Sequence, residues 1–233
     1  MSGAEKQKHS LEIPVIYRKA FLLFKDNLNL FLPFGLIYGM GGVAYRVMSK
    51  AFSTGVPSDN ILIPLFLDVI FATLANIMVI YSAWRIYKGE EVPVYEVLNK
   101  AFLKYGVCLL ATLFSLSIVF SGLLLFILPG IYFATVYSFV IIFIVIEGSP
   151  LFWSFSLSIG LARKAFARVL VFSLIMPVIF LALYSLAKEY FDKYPTLVYS
   201  VTLALTAILT PLGVIAQVIL FCRMKENFSR EIL

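Results

Sequence analysis

Between Tyr105 and Ile146 the chain runs for 42 residues without one charged side chain. At 1.5 Å rise per residue a straight helix of that length would reach roughly 63 Å, about twice the ~30 Å hydrocarbon core of a bilayer. The run therefore has to fold back on itself. Leu128-Pro129-Gly130 marks the reversal, because proline removes a backbone donor and glycine tolerates a turn. One helical hairpin and two membrane crossings are expected.

The rest of the chain has the same character. Of 233 residues, 61% are hydrophobic and 14% charged, against roughly 25% charged in soluble domains. Further runs with few or no charges cover 28–45, 61–84 (with Asp68 alone inside), 169–187 and 194–222. With the hairpin they predict six transmembrane helices in an all-α polytopic integral membrane protein, a single membrane domain over 1–233.

Orientation follows from the cations, since lysine and arginine near span ends are retained on the cytoplasmic side. Residues 1–10 are polar, and Glu12, Arg18, Lys19, Lys25 and Asp26 are mixed into the next stretch, a pattern unlike a cleaved signal peptide. With the N-terminus inside, Lys6, Lys8, Arg18, Lys19, Lys25, Arg85, Lys88, Lys100, Lys104, Arg163, Lys164, Arg168, Arg223, Lys225 and Arg230 are cytoplasmic, 15 of the 19 cations; Arg46, Lys50, Lys188 and Lys193 lie outside. The expected location is a prokaryotic plasma membrane with both termini cytoplasmic.

Before each odd-numbered span lies a moderately polar stretch with apolar residues at helical spacing, as expected of an interfacial amphipathic helix. The middle one is cleanest. Pro93 suits a helix start, Val94, Val97, Leu98, Ala101 and Tyr105 share one face, and Glu96, Lys100 and Lys104 share the other. Glu96 and Lys100 form a favourable i,i+4 pair. A short echo recurs in these stretches: Arg18-Lys19-Ala20-Phe21, Asn99-Lys100-Ala101-Phe102 and Arg163-Lys164-Ala165-Phe166. It suggests three hairpin units, 11–87, 93–146 and 149–222, between polar tails 1–10 and 223–233. The copies are unequally spaced, 81 and 64 residues apart, so chance similarity stays open beside triplication.

The sequence argues against an enzyme. His9, in the polar tail, is the sole histidine, and no H-E-x-x-H, P-loop or D-x-x-D-G motif occurs. No cofactor, metal or nucleic-acid partner is expected. Cys108 and Cys222 lack C-x-x-C spacing and read as packing residues.

Asp68 is the one acidic residue well inside a span, where a charge is expensive unless paired or hydrated. It either marks a functional position or pairs with Arg46 or Lys50 near the outer surface. Asn76 lies about 80° further round the same helix, so both could border a polar cavity. In the last span Thr202, Thr206, Thr210 and Gln217 fall within an arc of about 80°. Threonines also bond their own helix, so helix packing explains that stripe as well as a polar path does. Gly35 with Gly39, and Ser117 with Ser121, have the small-xxx-small spacing of close helix contacts, expected within the chain rather than between copies. Glu147 ends the fourth span and could cap the following helix or bind Arg163 or Lys164, at a basic cytoplasmic rim that attracts anionic headgroups.

The order Leu128-Pro129-Gly130, Glu147-Gly148, Ser158, Leu161, Arg163 resembles a family of prokaryotic membrane proteins that includes YciC-type proteins and the glycerophosphodiester phosphodiesterase membrane domain. The resemblance covers roughly 40 residues and implies six spans with interfacial helices. Where that family includes a phosphodiesterase, catalysis belongs to a separate soluble barrel, and 233 residues of this composition leave no room for one. The resemblance thus implies membrane placement without hydrolysis. The expected role is a non-enzymatic accessory or scaffold that organises lipids or a partner complex, with membrane lipids and a protein partner or a second copy as partners. The alternative is a small-solute or lipid transporter whose path is lined by Asp68, Asn76, Thr206, Thr210 and Gln217.

Overall fold

The computed structural model describes residues 12–41, 43–44, 62–191 and 193–229. Helix α1 (Ile13–Asp26) has a proline in its first turn, where the missing N–H would have no helical partner. It stops at Asn27, whose side-chain amide donates to the Leu23 carbonyl at 3.0 Å. The chain bends there by 102° into α2 (Leu28–Tyr38). After the undescribed stretch come α3 (Leu62–Tyr87), α4 (Val94–Leu125), α5 (Ile127–Val136) and α6 (Val140–Ile142), which continues as a π-helical turn over Phe143–Glu147. Helices α7 (Leu151–Lys164), α8 (Phe166–Phe191) and α9 (Pro195–Ser229) complete the bundle.

Among the described residues five segments are long and apolar enough to cross a membrane, 65–87, 94–125, 127–147, 166–191 and 196–227, and the bent α1–α2 pair makes a sixth if it counts as one span. The chain is an all-α polytopic membrane protein. Its outward side chains fit that solvent: Phe102, Leu103, Leu124, Phe126 and Tyr190 are all at least two-thirds exposed, which is unfavourable against water but not against lipid tails.

Three local expectations are corrected. The hairpin reverses at Phe126, the one extended residue between α4 and α5, and not at Leu128-Pro129-Gly130. Pro129 sits in the first turn of α5, where helix geometry tolerates it, so it marks a helix start rather than a turn. Gly130 serves the crossing of the two arms instead: a Cβ on Gly122 would lie 2.9 Å from the Gly130 nitrogen. Second, the middle amphipathic stretch is not a separate element but the first turns of the 32-residue α4. Its face also divides differently, with Val97 and Ala101 fully buried while Val94 and Leu98 point out. Third, Ser117 and Ser121 are exposed, and the Ser117 hydroxyl only returns to the Leu113 carbonyl of its own helix.

The other small-residue pair does hold helices together. A methyl group on Gly35 would overlap the Ala207 backbone, and one on Gly39 would overlap the Leu203 side chain, so α2 lies directly on α9. The core is built around α9, where Ile215, Ala216, Val218, Ile219, Leu220, Phe221 and Met224 are all buried. Phe221 meets the rings of Phe139 and Phe143 at centroid distances of 6.0 and 5.0 Å. Ile77 to Tyr81 of α3 and Ile16, Ala20 and Phe24 of α1 complete it.

The echoed tetrapeptides do not sit alike. Ala20 and Ala101 are fully buried within their helices, whereas Ala165 is the non-helical residue between α7 and α8. In α7 the buried stripe is Ser154, Ser158 and Ala162.

Candidate functional site

The fourth span is broken near its middle. Residues 137–139 form a turn between α5 and α6, and a break in a spanning helix strands backbone donors and acceptors that lipid cannot satisfy. Two side chains from elsewhere meet them. The fully buried Ser158 hydroxyl donates to the Val136 carbonyl at 2.6 Å and accepts from the Phe139 N–H at 3.2 Å. The Gln217 amide donates to the Ser138 carbonyl at 2.6 Å. Helix α7 is shaped for this: its small face, Ser154, Ser158 and Ala162, turns inward, and Phe152 and Trp153 turn out.

The residues that carry the family resemblance converge on this span. Pro129 and Gly130 open it. Gly148 ends it at φ 68°, in the left-handed region where glycine is favoured. Ser158 stitches its break, and Arg163 donates to the Tyr132 hydroxyl at 3.0 and 3.2 Å.

Beside the break lies a cavity of about 490 Å³ between α1, α5, α8 and α9. Thr210 and Gln217 of the expected polar path line it, together with Ser138 and Ser173. Phe172, Met176, Phe180 and Leu209 form much of the remaining wall, and Tyr17 borders it, donating to the Phe172 carbonyl at 3.3 Å. The Ser138 hydroxyl is buried and has no hydrogen-bond partner.

The other candidates lie elsewhere. Asp68 is half-buried against α2's continuation, so close that a methyl group on Gly41 would overlap it; Arg46 and Lys50, its anticipated partners, lie outside the described residues. Asn76 accepts from the Tyr38 hydroxyl at 2.7 Å. Asp68 and Asn76 thus face the same neighbour, as their spacing predicts, but that neighbour is a packed helix and not the cavity. Thr202 and Thr206 donate to carbonyls four residues back, at 2.7 and 2.8 Å.

One end of the bundle gathers the charges. Glu147 accepts from Lys225 at 2.6 Å; Arg163, one of its anticipated partners, lies beyond the break instead, held by Tyr132 of α5. The helix after Glu147 starts at Pro150 with no side-chain cap. Lys164, at the end of α7, is exposed. Lys88 stands 4.1 Å from the Trp84 ring centre and Lys19 stands 5.7 Å from that of Tyr87. Glu96 turns to Arg85 of α3 at 2.6 Å rather than being confined to its i,i+4 lysine, and Tyr81 and Glu90 join the cluster. Lys88–Trp84 and Arg85–Tyr81 are i,i+4 pairs within α3 and just past it, but Lys19–Tyr87 and Lys225–Glu147 are far apart in sequence, which is why spacing did not reveal them. The Ser154, Ser158, Ala162 stripe did carry a readable signal, a small polar face at i,i+4,i+8.

Among the described residues no group of three or more His, Cys, Asp or Glu is placed to hold a metal. Compared with family models, with curated proteins and with solved structures, the chain matches none.

Proposed function

We propose that the protein is a non-enzymatic accessory protein of a prokaryotic plasma membrane that organises lipids, with both termini on the cytoplasmic side. The observation that carries this reading is the one-ended basic cluster. Lys19, Arg85, Lys88 and Lys225 are tied by ring contacts, ion pairs or hydrogen bonds to the ends of the helices there. Each suitably placed cation near an anionic leaflet contributes on the order of 1 kcal/mol. The likeness to YciC-type proteins agrees with membrane placement without hydrolysis.

The test is lipid retention by the full chain in nanodiscs of mixed anionic and zwitterionic lipid. The bound annulus should be enriched in anionic lipid, and enrichment should fall when Lys19, Lys88 and Lys225 are changed together to Gln. An annulus matching the bulk composition would refute the reading. Labelling of single cysteines in intact cells tests orientation, since one at Lys225 should be shielded from an impermeant reagent. A protein partner or second copy would register as added mass in gentle extraction.

A transport reading draws on the broken fourth span and its neighbouring cavity, an arrangement that membrane transporters use at substrate sites. Thr210 and Gln217 support it by position; Asp68, Asn76 and Thr206 are engaged elsewhere. Solute or lipid flux in proteoliposomes that is lost in Thr210→Val would favour it over the accessory role.

A further inference from the structure

The cavity between α1, α5, α8 and α9 has the chemistry of a ligand site rather than of a packing gap. Its volume of about 490 Å³ falls within the roughly 300–1,000 Å³ typical of small-molecule sites. Phe172, Met176, Phe180, Leu209 and Val214 give it hydrocarbon and aromatic walls, and none of its lining residues is charged. The Gln217 amide and the Tyr17 hydroxyl already donate to backbone carbonyls. Ser138 is different: its hydroxyl is buried with no partner, a state that costs free energy until something bonds to it.

These features select a ligand class. An ionised head would be desolvated there without a counter-charge, so a carboxylate or phosphate is disfavoured. A purely apolar chain would leave the hydroxyl unpaired. A neutral chain ending in a hydroxyl satisfies both the wall and the serine.

Entry is available from the bilayer side. Helix α8 supplies Phe172, Ser173, Met176, Pro177 and Phe180 to the wall, yet little of it is buried against the rest of the chain. Pro177 also removes one of its backbone hydrogen bonds, so this wall is the one best able to yield to a lipid-like molecule.

We propose that this cavity binds one neutral single-chain amphipath, a fatty or isoprenoid alcohol, with its hydroxyl on Ser138 and its tail along α8. The site lies among the helices and does not depend on anionic-lipid selection at the basic end, so either reading can fail alone.

The experiment is native mass spectrometry of the full chain released from nanodiscs equilibrated with decan-1-ol, with decanoate as the charged counterpart. A saturable adduct of one alcohol per chain is expected, with decanoate about tenfold weaker. Ser138→Ala should weaken the alcohol about fivefold, the loss of one hydrogen bond, and leave decane unchanged. Ser173→Trp, on the loosely packed α8, should fill the cavity and abolish the adduct while circular dichroism stays the same. A photoactivatable diazirine analogue of decan-1-ol, applied to unaltered protein, keeps the test independent of folding. Its label should concentrate on Met176, Phe180 and Leu209. Absence of a saturable adduct, an adduct indifferent to both variants, or label spread over lipid-facing Leu124 and Phe126 would overturn the proposal, leaving the cavity to water or disordered lipid.

Discussion

Ser158→Ala should weaken the fold more than its size suggests. The hydroxyl is fully buried and makes two bonds to the break in the fourth span, 2.6 Å to the Val136 carbonyl and 3.2 Å from the Phe139 N–H. Side-chain hydrogen bonds inside membrane proteins average about 0.6 kcal/mol and reach about 1.7, because the unfolded chain in lipid also finds partners. Two such bonds give roughly 1–3 kcal/mol. Alanine retains nearly all the volume, so a cavity term adds little. Ser154→Ala is the control from one turn earlier on the same buried stripe. The Ser154 hydroxyl donates to the Pro150 carbonyl at 2.9 Å, with the Ser149 carbonyl a longer second acceptor at 3.3 Å; the Pro150 carbonyl also accepts the Ser154 N–H at 2.9 Å and keeps a partner when the hydroxyl is gone, so only the longer contact is lost outright. Its loss should cost under about 0.6 kcal/mol. Reversible unfolding in mixed detergent–SDS micelles, followed by circular dichroism, measures both. If Ser158→Ala falls within about 0.5 kcal/mol of Ser154→Ala, the break is not held by Ser158 and the reasoning fails.

Gly35→Leu should destabilise by more than about 2 kcal/mol, since any side chain there runs into the Ala207 backbone, whereas Ser117→Leu on the exposed face of α4 should stay within about 0.5 kcal/mol; the same unfolding assay separates them, and equal effects would return Ser117 to a helix contact. Gln217→Leu removes the bond to the Ser138 carbonyl and should cost about 1 kcal/mol, visible also as faster amide exchange at the break. Lys225→Ala removes the partner of Glu147 in an ion pair whose lysine is largely exposed; it should cost under about 1 kcal/mol at low ionic strength and nothing measurable at high salt, and a salt-independent loss would mean the lysine works by packing.

The spans were legible because a bilayer imposes one simple requirement, enough apolar length per crossing, and 105–146 exceeds it twofold. Interiors of spans were less so. Tyr137-Ser138-Phe139 holds no charge, proline or glycine, so nothing there reads as a break, while Pro129 looks like a break and serves as a helix start. Of the polar candidates, Thr210 and Gln217 reached the cavity and Asp68, Asn76 and Thr206 did not. A residue's angle around its own helix places it on a face; which helix covers that face is decided by contacts far along the chain, 79 residues between Gln217 and Ser138 and 155 between Tyr17 and Phe172.

The amphipathic stretches show what the sequence could have said. In water, an amphipathic helix buries its large apolar side chains and exposes its small polar ones. Helix α7 does the reverse, with Ser154, Ser158 and Ala162 inside and Phe152 and Trp153 outside. Small residues allow close approach to a neighbour, and a hydroxyl on that face bonds either its own helix, as Ser154 does, or backbone that the neighbour leaves unsatisfied, as Ser158 does. An inward-facing serine on a helix beside lipid is therefore a place to look for a break in the partner helix, as Ser158 shows. Because backbone groups freed at such a break must be met by protein or by a ligand, the unpaired Ser138 hydroxyl beside the same break identifies where this bundle has polar capacity left over after its own needs are met.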